Sequence, residues 1–353
     1  MSVVKTVFVV GAGASSEAKL PIGKELKHHI AKLLDIRFDD WGDRLESGDK
    51  QILEVLRSVA KQKYNDQRAI QDLIEECHHI RDAMPLAPSI DNFIDNHRDK
   101  EDIAICGKLA IIKSILNAEK NSKLWFQKER YDSNINFTDL GNTWYIPFFQ
   151  TLTENCSKDE LAERFKSITF IIFNYDRCVE QFIFWALQNY YRITGEEAGK
   201  LVEGMNIYHP YGDVGPLSFG KYEYGKIDFG EELDHSGLLQ TSDKIKTFTE
   251  GTDPKSSKIV KIRNAIARAD RVIFLGFAFH RLNMQLITPE DASAKHAPKH
   301  FVTAFNVSDS DTEIIKHHIR MLYSGGRGYV SFEIGKLSCY DFYSEYWRSL
   351  SFV

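Results

Sequence analysis

The sequence predicts an α/β protein with a Rossmann-like, doubly wound, mostly parallel sheet and a large helical insertion after the first strand–helix unit. Three observations predict this fold. Residues 3–10 form a β-branched run that ends at a glycine loop, which is typical of a strand buried on both faces of a parallel sheet. From about residue 165 to the end, strand-like runs alternate with helical segments. Between these parts, residues 39–164 are mostly helical in pattern.

Apolar spacing places the elements one after another. It predicts helices at residues 24–34, 51–60, 69–84, 90–96, 101–118, 144–152, 177–190, 257–269 and 309–322, and a core-packing helix at 340–350. Further apolar runs predict strands at residues 167–173, 205–208, 271–276 and 300–306. Ser308 and Asp309 are favourable caps for the helix they precede or open. We therefore expect a discontinuous α/β domain, residues 1–38 and 165–353, and a helical subdomain, residues 39–164.

Composition excludes several classes of function. Among the 353 residues, 43% are hydrophobic and 27% are charged, which fits a globular protein and not a disordered one. The net charge of -5 gives no global reason to expect nucleic-acid binding, so none is predicted. The five cysteines contain no CxxC pair, which argues against a zinc ribbon or a disulfide framework. With neither a signal peptide nor an apolar run of about 18 residues, we expect a cytoplasmic protein that does not enter a membrane.

The first glycine loop matches neither common nucleotide-binding template. Gly11, Ala12 and Gly13 directly follow the first strand, so the backbone can approach a pyrophosphate closely. A dehydrogenase loop would have glycine or alanine where Ser16 stands, and a P-loop would need a lysine at GxxxxGK spacing. The acidic residue expected after a second strand is also missing. The loop is therefore either a different phosphate site or a tight turn without a ligand.

Polar residues follow four later strands. Asn174 and Asp176 end one strand, where Asn174 could hold a ribose and a water, while Asp176 could instead be a helix N-cap. His209 ends the next strand and could be a general base or a structural residue. Gly276 and Asn306 end the last two predicted strands, where they could contact a nucleotide or simply end the strands.

Taken together and in order, these stretches resemble the sirtuin-like NAD-consuming domain. A weaker similarity lies at residues 89–94 of the insertion, where bacterial defence members of that family have a comparable stretch. The matching residues are Gly11-Ala12-Gly13-Ala14-Ser15, Asn174-Tyr175-Asp176, His209 with Gly212, Gly276, and Asn306.

Three departures from the family pattern distinguish this chain from the protein deacylases of the family. Protein deacylases of the family have a four-cysteine zinc module, which this chain lacks the paired cysteines to build. They have Phe-Arg soon after the proline of the first loop, whereas Pro21 is followed by Ile22 and Gly23. Their histidine usually abuts a glycine, whereas Pro210 and Tyr211 follow His209 here. The chain is thus most similar to the sirtuin-like NAD hydrolases of bacterial antiphage systems.

This resemblance implies a complete set of roles. Cleavage of the nicotinamide–ribose bond would give nicotinamide and ADP-ribose, with Asn174 positioning water and ribose, His209 accepting a proton and Asp176 orienting the ribose. The residues expected to bind the rest of NAD+ are Gly11, Ala12, Gly13, Ser15, Pro21, Gly276 and Asn306. The resemblance implies no cofactor beyond NAD+ as the substrate and no zinc.

The resemblance also implies a regulated antiphage effector that depletes NAD+ on infection. It would be a homo-oligomer, with a HerA-like ATPase or an Argonaute-type protein as a possible partner. Three alternatives stay open: a non-catalytic sensor of NAD or ADP-ribose derivatives, a protein deacylase or ADP-ribosyltransferase, and, more remotely, a dehydrogenase.

Overall fold

Six parallel strands form the central sheet. A computed structural model describes residues 4–41, 44–64, 69–127, 134–219, 225–247, 250, 256–290, 298–323 and 330–352. The strands of the sheet are β1 (Thr6–Val10), β4 (Ile168–Ile172), β5 (Asn206–Tyr208), β6 (Arg271–Leu275), β7 (Lys299–Thr303) and β8 (Ser331–Gly335), and β2 (Arg37–Phe38) pairs with β3 (Leu45–Ser47) in a separate hairpin.

The strand order confirms the predicted fold class. The order is β5-β4-β1-β6-β7-β8, and every neighbouring pair is parallel. The chain therefore moves from β1 to one side of the sheet through β4 and β5, and then crosses to build the other side. In such a doubly wound sheet the connections leave β1 and β6 in opposite directions, which opens a crevice at their carboxyl ends.

The predicted helices are present, most with ends shifted by one or two residues. Residues 340–350 form two short core-packing helices instead of one, and residue 3 of the first predicted strand lies outside the described residues. The hairpin, β8 and several short helices were not predicted from the sequence. The helices are α1 (Ala12–Ser15), α2 (Gly23–Leu33), α3 (Lys50–Val59), α4 (Ala69–Ala83), α5 (Ile90–Asn96), α6 (Glu101–Lys120), α7 (Tyr145–Thr153), α8 (Leu161–Lys166), α9 (Cys178–Tyr191), α10 (Gly195–Glu203), α11 (His235–Ser242), α12 (Ser257–Ala267), α13 (Arg281–Ile287), α14 (Asp309–Arg320), α15 (Cys339–Glu345) and α16 (Trp347–Leu350).

The helical insertion covers both faces of the sheet. Val7 and Val9 of β1 belong to one apolar core, together with residues of α2 to α6 and α11 to α14. Phe8 and Val10 belong to the other core, with residues of α7 to α10, α15 and α16. Strands buried on both faces need apolar residues at every position, which explains the unbroken run of β1. The insertion thus shares both cores with the sheet, and its proposed boundaries stay a prediction.

A buried ion pair fixes the insertion to the sheet. Glu119 of α6 and Arg177, just before α9, are 2.6 Å apart between Oε2 and Nη2, and their side chains are 0% and 2% exposed. The guanidinium also donates to the carbonyl oxygens of Gly215 (2.9 Å) and Ile227 (2.8 Å). The backbone N–H of Gly230 donates to Glu119 over 2.9 Å. One pair of charges therefore joins α6, the start of α9 and the loop after β5.

Among the described residues, none of the helices combines the length and apolar character needed to cross a bilayer.

We predict that Glu119→Gln will strongly destabilise the fold. Removing one charge leaves Arg177 buried without its carboxylate, a change that typically costs about 3–5 kcal/mol. Equilibrium urea unfolding measures the loss. The control is Glu163→Gln, which breaks the exposed Glu163–Lys166 pair on α8 (2.8 Å) and should cost less than about 1 kcal/mol. Similar losses in the two variants would contradict this role of the buried pair.

Candidate functional site

Side chains from the ends of three neighbouring strands meet in one hydrogen-bonded cluster. The amide nitrogen Nδ2 of Asn174 donates to Ser15 Oγ over 3.0 Å, and Ser15 Oγ donates to Asp176 Oδ1 over 3.1 Å. His209 contacts the main-chain oxygen of Asn174 through Nδ1 at 3.1 Å. Ser15 follows β1, Asn174 and Asp176 follow β4, and His209 follows β5. Three motifs that are far apart in the sequence therefore form a single cluster at the carboxyl edge of the sheet.

Asp176 organises this cluster from inside the fold. Besides the Ser15 hydroxyl, its Oδ1 accepts the backbone N–H of Cys178, the first residue of α9, over 3.2 Å. The residue is 4% exposed, and burial raises the pKa of its carboxyl group. Asp176 thus holds both the helix start and the orientation of Ser15. It is a positioning residue in this structure.

His209 is held at both ring nitrogens. Its Nε2 lies 2.8 Å from Glu180 Oε1, while Nδ1 faces the carbonyl oxygen of Asn174. A carbonyl oxygen only accepts, so Nδ1 carries a proton, and a carboxylate at Nε2 favours a second one. Burial of the ring opposes the charge, but the Glu180 carboxylate outweighs it and raises the pKa of His209 to about 9. His209 is therefore an imidazolium at neutral pH in this arrangement.

Glu180 is the functional candidate that sequence analysis missed. It lies in the first turn of α9, four residues after Asp176, and the helix turns it toward the end of β5. That spacing was the signal available in the sequence, although only the fold places His209 opposite it. Its Oε1 binds His209, whereas its Oε2 is buried and has no hydrogen-bond partner among the described residues. A buried acceptor without a donor costs free energy, so this oxygen is suited to accept from a ligand.

The glycine loop packs against the loop that follows β6. The backbone N–H groups of Gly11 and Gly13 donate to the carbonyl oxygens of Leu275 and Gly276, both over 3.0 Å. A Cβ on Gly11 would lie 2.5 Å from the Gly276 oxygen, and one on Gly276 would lie 2.1 Å from the nitrogen of Ala14. Gly276 also has a φ of 55°, which favours glycine. These glycines therefore allow the two loops to touch at the crevice between β1 and β6.

The remaining predicted binding residues lie apart from the hydrogen-bonded cluster. Ala12 begins α1 within the glycine loop. Pro21 is buried and lines a cleft of about 950 Å³ between the first loop, α2 and α6. Asn306 is exposed after β7 with a φ of 56°. Four clefts on the described part of the chain, of about 260, 950, 460 and 370 Å³, are lined by residues other than Asn174 and His209.

The insertion also reaches the cluster through a second polar contact. The hydroxyl of Tyr175, which stands between Asn174 and Asp176, donates to Oδ1 of Asp91 on α5. Asp91 belongs to the stretch at residues 89–94 that carried the weaker part of the family resemblance. Two helices of the insertion, α5 and α6, therefore contact the Asn174–Arg177 segment directly.

No protein-family model matches the chain, and neither does any curated protein. Within the described residues, no group of three or more His, Cys, Asp or Glu side chains is placed to hold a metal ion. The sirtuin-like resemblance stays a prediction that rests on the quoted residues.

We predict that Gly276→Ala will destabilise the protein more than Gly225→Ala does. Both glycines have positive φ, which costs an L-residue about 1–2 kcal/mol. Among the described residues, a Cβ at Gly225 meets nothing within 4 Å, whereas a Cβ at Gly276 overlaps the backbone of Gly13 and Ala14. Urea unfolding of the two variants therefore separates the packing cost from the backbone cost. Equal losses would show that the contact between the loops is not required.

We predict that His209 titrates near pH 9 and that Glu180→Gln lowers this pKa. The variant removes the attracting carboxylate but leaves the burial that disfavours the cation. NMR titration of protein with labelled histidines measures both midpoints, and His209→Gln identifies the signal. Glu203→Gln, which breaks the exposed pair with Lys226 (2.9 Å), is the control and should leave the midpoint unchanged.

The His209–Glu180 pair also makes the stability of the fold depend on pH. The pKa of His209 is about 9 in the folded protein and about 6.5 in the unfolded chain. The stabilisation that the pair provides is therefore complete below pH 6.5 and is lost as the pH rises through about 9.

Proposed function

We propose that this protein hydrolyses NAD+ at the nicotinamide–ribose bond and releases nicotinamide and ADP-ribose. One observation supports this most: the contact of Asn174, Ser15, Asp176 and His209 at the carboxyl edge of β1, β4 and β5. Doubly wound folds bind dinucleotides at that edge. The residues that meet there are those of the sirtuin-like pattern.

The reaction places few demands on acid catalysis. Nicotinamide leaves with the electron pair of its bond to C1′ and needs no proton, because its ring nitrogen is already positively charged in NAD+. The site must instead stabilise an oxocarbenium-like ribose and place a water molecule next to C1′. Asn174 suits the second task, since its Nδ2 is bonded to Ser15 and its Oδ1 can accept from water or from a ribose hydroxyl.

The proton of the water requires an acceptor, and we propose that the His209–Glu180 pair acts as one unit. His209 has both nitrogens engaged, so the free acceptor of the pair is the second carboxylate oxygen, Glu180 Oε2. This oxygen would take a proton from the water or hold a ribose hydroxyl, while the water oxygen forms the new bond to C1′. General bases placed in this way typically contribute about 10²–10⁴ in rate.

The remaining part of NAD+ would lie along the crevice between β1 and β6. The Gly11 and Gly13 amides are bonded within the chain, so these residues shape the loop that the pyrophosphate would approach. Gly276 and Asn306 would lie toward the adenosine half. Oligomer formation, a HerA-like or Argonaute-type partner and antiphage action remain proposals that follow from the resemblance alone.

A non-catalytic nucleotide sensor is the second candidate. It is favoured by the same pair, because a histidine bound at both nitrogens has no nitrogen ready to accept a proton. A sensor would bind NAD+ or ADP-ribose without turnover.

We predict that Asn174→Ala and His209→Ala each lower nicotinamide release by at least about 100-fold. Purified protein is incubated with NAD+, alone and with the product of a neighbouring gene, and nicotinamide is followed by chromatography. The controls Asn96→Ala and His235→Ala replace exposed residues of the same types and should retain full activity. Full activity in both site variants would contradict the assigned roles. Calorimetric binding of NAD+ without turnover under every condition would establish the sensor instead.

A further inference from the structure

A polar groove lies at the amino edge of the sheet, opposite the Asn174–His209 cluster. It has a volume of about 370 Å³ and is bordered by the first residues of β1 and β4, by β5 and by the second half of α12. Nothing in the proposed hydrolase reaction uses it.

The groove is strongly cationic. Lys5, Lys166, Lys261 and Arg268 line it, and none of its lining residues is acidic. Lys166 pairs with the exposed Glu163 (2.8 Å), whereas within the described ranges no ion pair involves the other three. Because the whole chain has a net charge of -5, this concentration of positive charge is local and is not a general property of the surface.

The floor of the groove is polar where a parallel sheet is normally apolar. Val7, Thr169 and Asn206 are consecutive partners across β1, β4 and β5, and they lie on the same face of the sheet. Thr169, Asn206 and Tyr208 are half-buried. Such a floor offers a hydroxyl, an amide and an aromatic ring to a ligand. An apolar partner would leave these groups unsatisfied.

We propose that this groove binds a ligand with two or more phosphate groups and a nucleobase. Lys261 and Arg268 lie seven residues apart in and just beyond α12, a separation of about 10 Å along a helix axis, which is more than one phosphate can span. Four cations around a polar floor suit successive phosphates, and Tyr208 provides a ring on which a base can stack. A nucleoside triphosphate and a single-stranded oligonucleotide share this chemistry.

The groove is connected to the candidate site through α12. Lys258, one turn before Lys261 on the same helix, donates from Nζ to the main-chain oxygen of His209 over 2.9 Å. A ligand that shifts α12 therefore acts on the loop that carries His209. This effect on turnover rests on the proposed function, whereas binding in the groove does not.

The test measures binding directly. Fluorescently labelled single-stranded DNA and RNA of about 12 nucleotides, and labelled ATP, are titrated with the full chain at about 50 mM salt and followed by anisotropy. We expect the double variant Lys261→Gln/Arg268→Gln to weaken binding at least about tenfold. For an oligonucleotide, the slope of log affinity against log salt should also fall by about 1.4, since each neutralised phosphate contributes about 0.7.

A matched control removes the same two charges elsewhere. Arg57→Gln/Lys61→Gln replaces one arginine and one lysine that are both exposed and lie outside the groove. Binding of ATP that the groove variant weakens identifies a nucleotide ligand. Binding of an oligonucleotide that the groove variant weakens and that excess ATP does not displace identifies a nucleic acid. Either result supports the proposal, whereas binding that the groove variant leaves unchanged contradicts it. Failure of all three probes to bind, or equal weakening by the control, overturns it. Nicotinamide release is measured in a separate assay. If the protein does not hydrolyse NAD+, the result of the groove-binding assay is therefore unaffected.

Discussion

The buried ion pair between Glu119 and Arg177 is the interaction on which the rest of the structure depends. Arg177 lies between Asp176 and the first residue of α9, and its guanidinium also holds the loop that follows His209. Taking two charges out of water is costly, and such pairs rarely add net stability over an apolar alternative. Their value lies in specificity: this pair is satisfied only when α6, α9 and the loop after β5 have the observed arrangement.

That arrangement also determines the electrostatics of the candidate site. Glu119, Asp176 and Glu180 are carboxyl groups, and Arg177 and His209 are the cations that balance them. When all five are charged, the group has one negative charge in excess, but burial raises the pKa of Asp176 and so favours its neutral form. With Asp176 neutral, the charges of Glu119 and Glu180 are balanced by those of Arg177 and His209, each of which contacts one of the two carboxylates.

The sequence predicted the fold well because its strands and helices are long and strongly patterned. The run from Thr6 to Val10 and the apolar spacing of α3 are unambiguous, whereas β2 has two residues and shows no alternation to detect. β8 is an edge strand with half-buried residues of mixed type, so it lacks the apolar run that marks the central strands. Apolar periodicity in a sequence reflects which residues are buried, so short or half-buried elements show little of this periodicity.

The candidate site was predictable to the extent that its residues end strands. Ser15, Asn174, Asp176 and His209 end strands that turned out to be neighbours. Glu180 was not predicted because it lies in the first turn of a helix, where a carboxylate is usually expected to be exposed. The contact of Gly11 and Gly13 with Gly276 also joins residues that are distant in the sequence, and only the strand order brings them together.

The two candidate functions make different demands on the Glu180–His209 pair. A sensor needs only a rigid wall, and a histidine bound at both nitrogens provides one. A hydrolase also needs an acceptor that faces the ribose. Glu180 Oε2 is a buried oxygen without a donor among the described residues, and its desolvation is compensated only when a donor arrives. Bound NAD+ brings ribose hydroxyls in both cases, so the unsatisfied oxygen fits a nucleotide site of either kind, and turnover is the property that separates a hydrolase from a sensor.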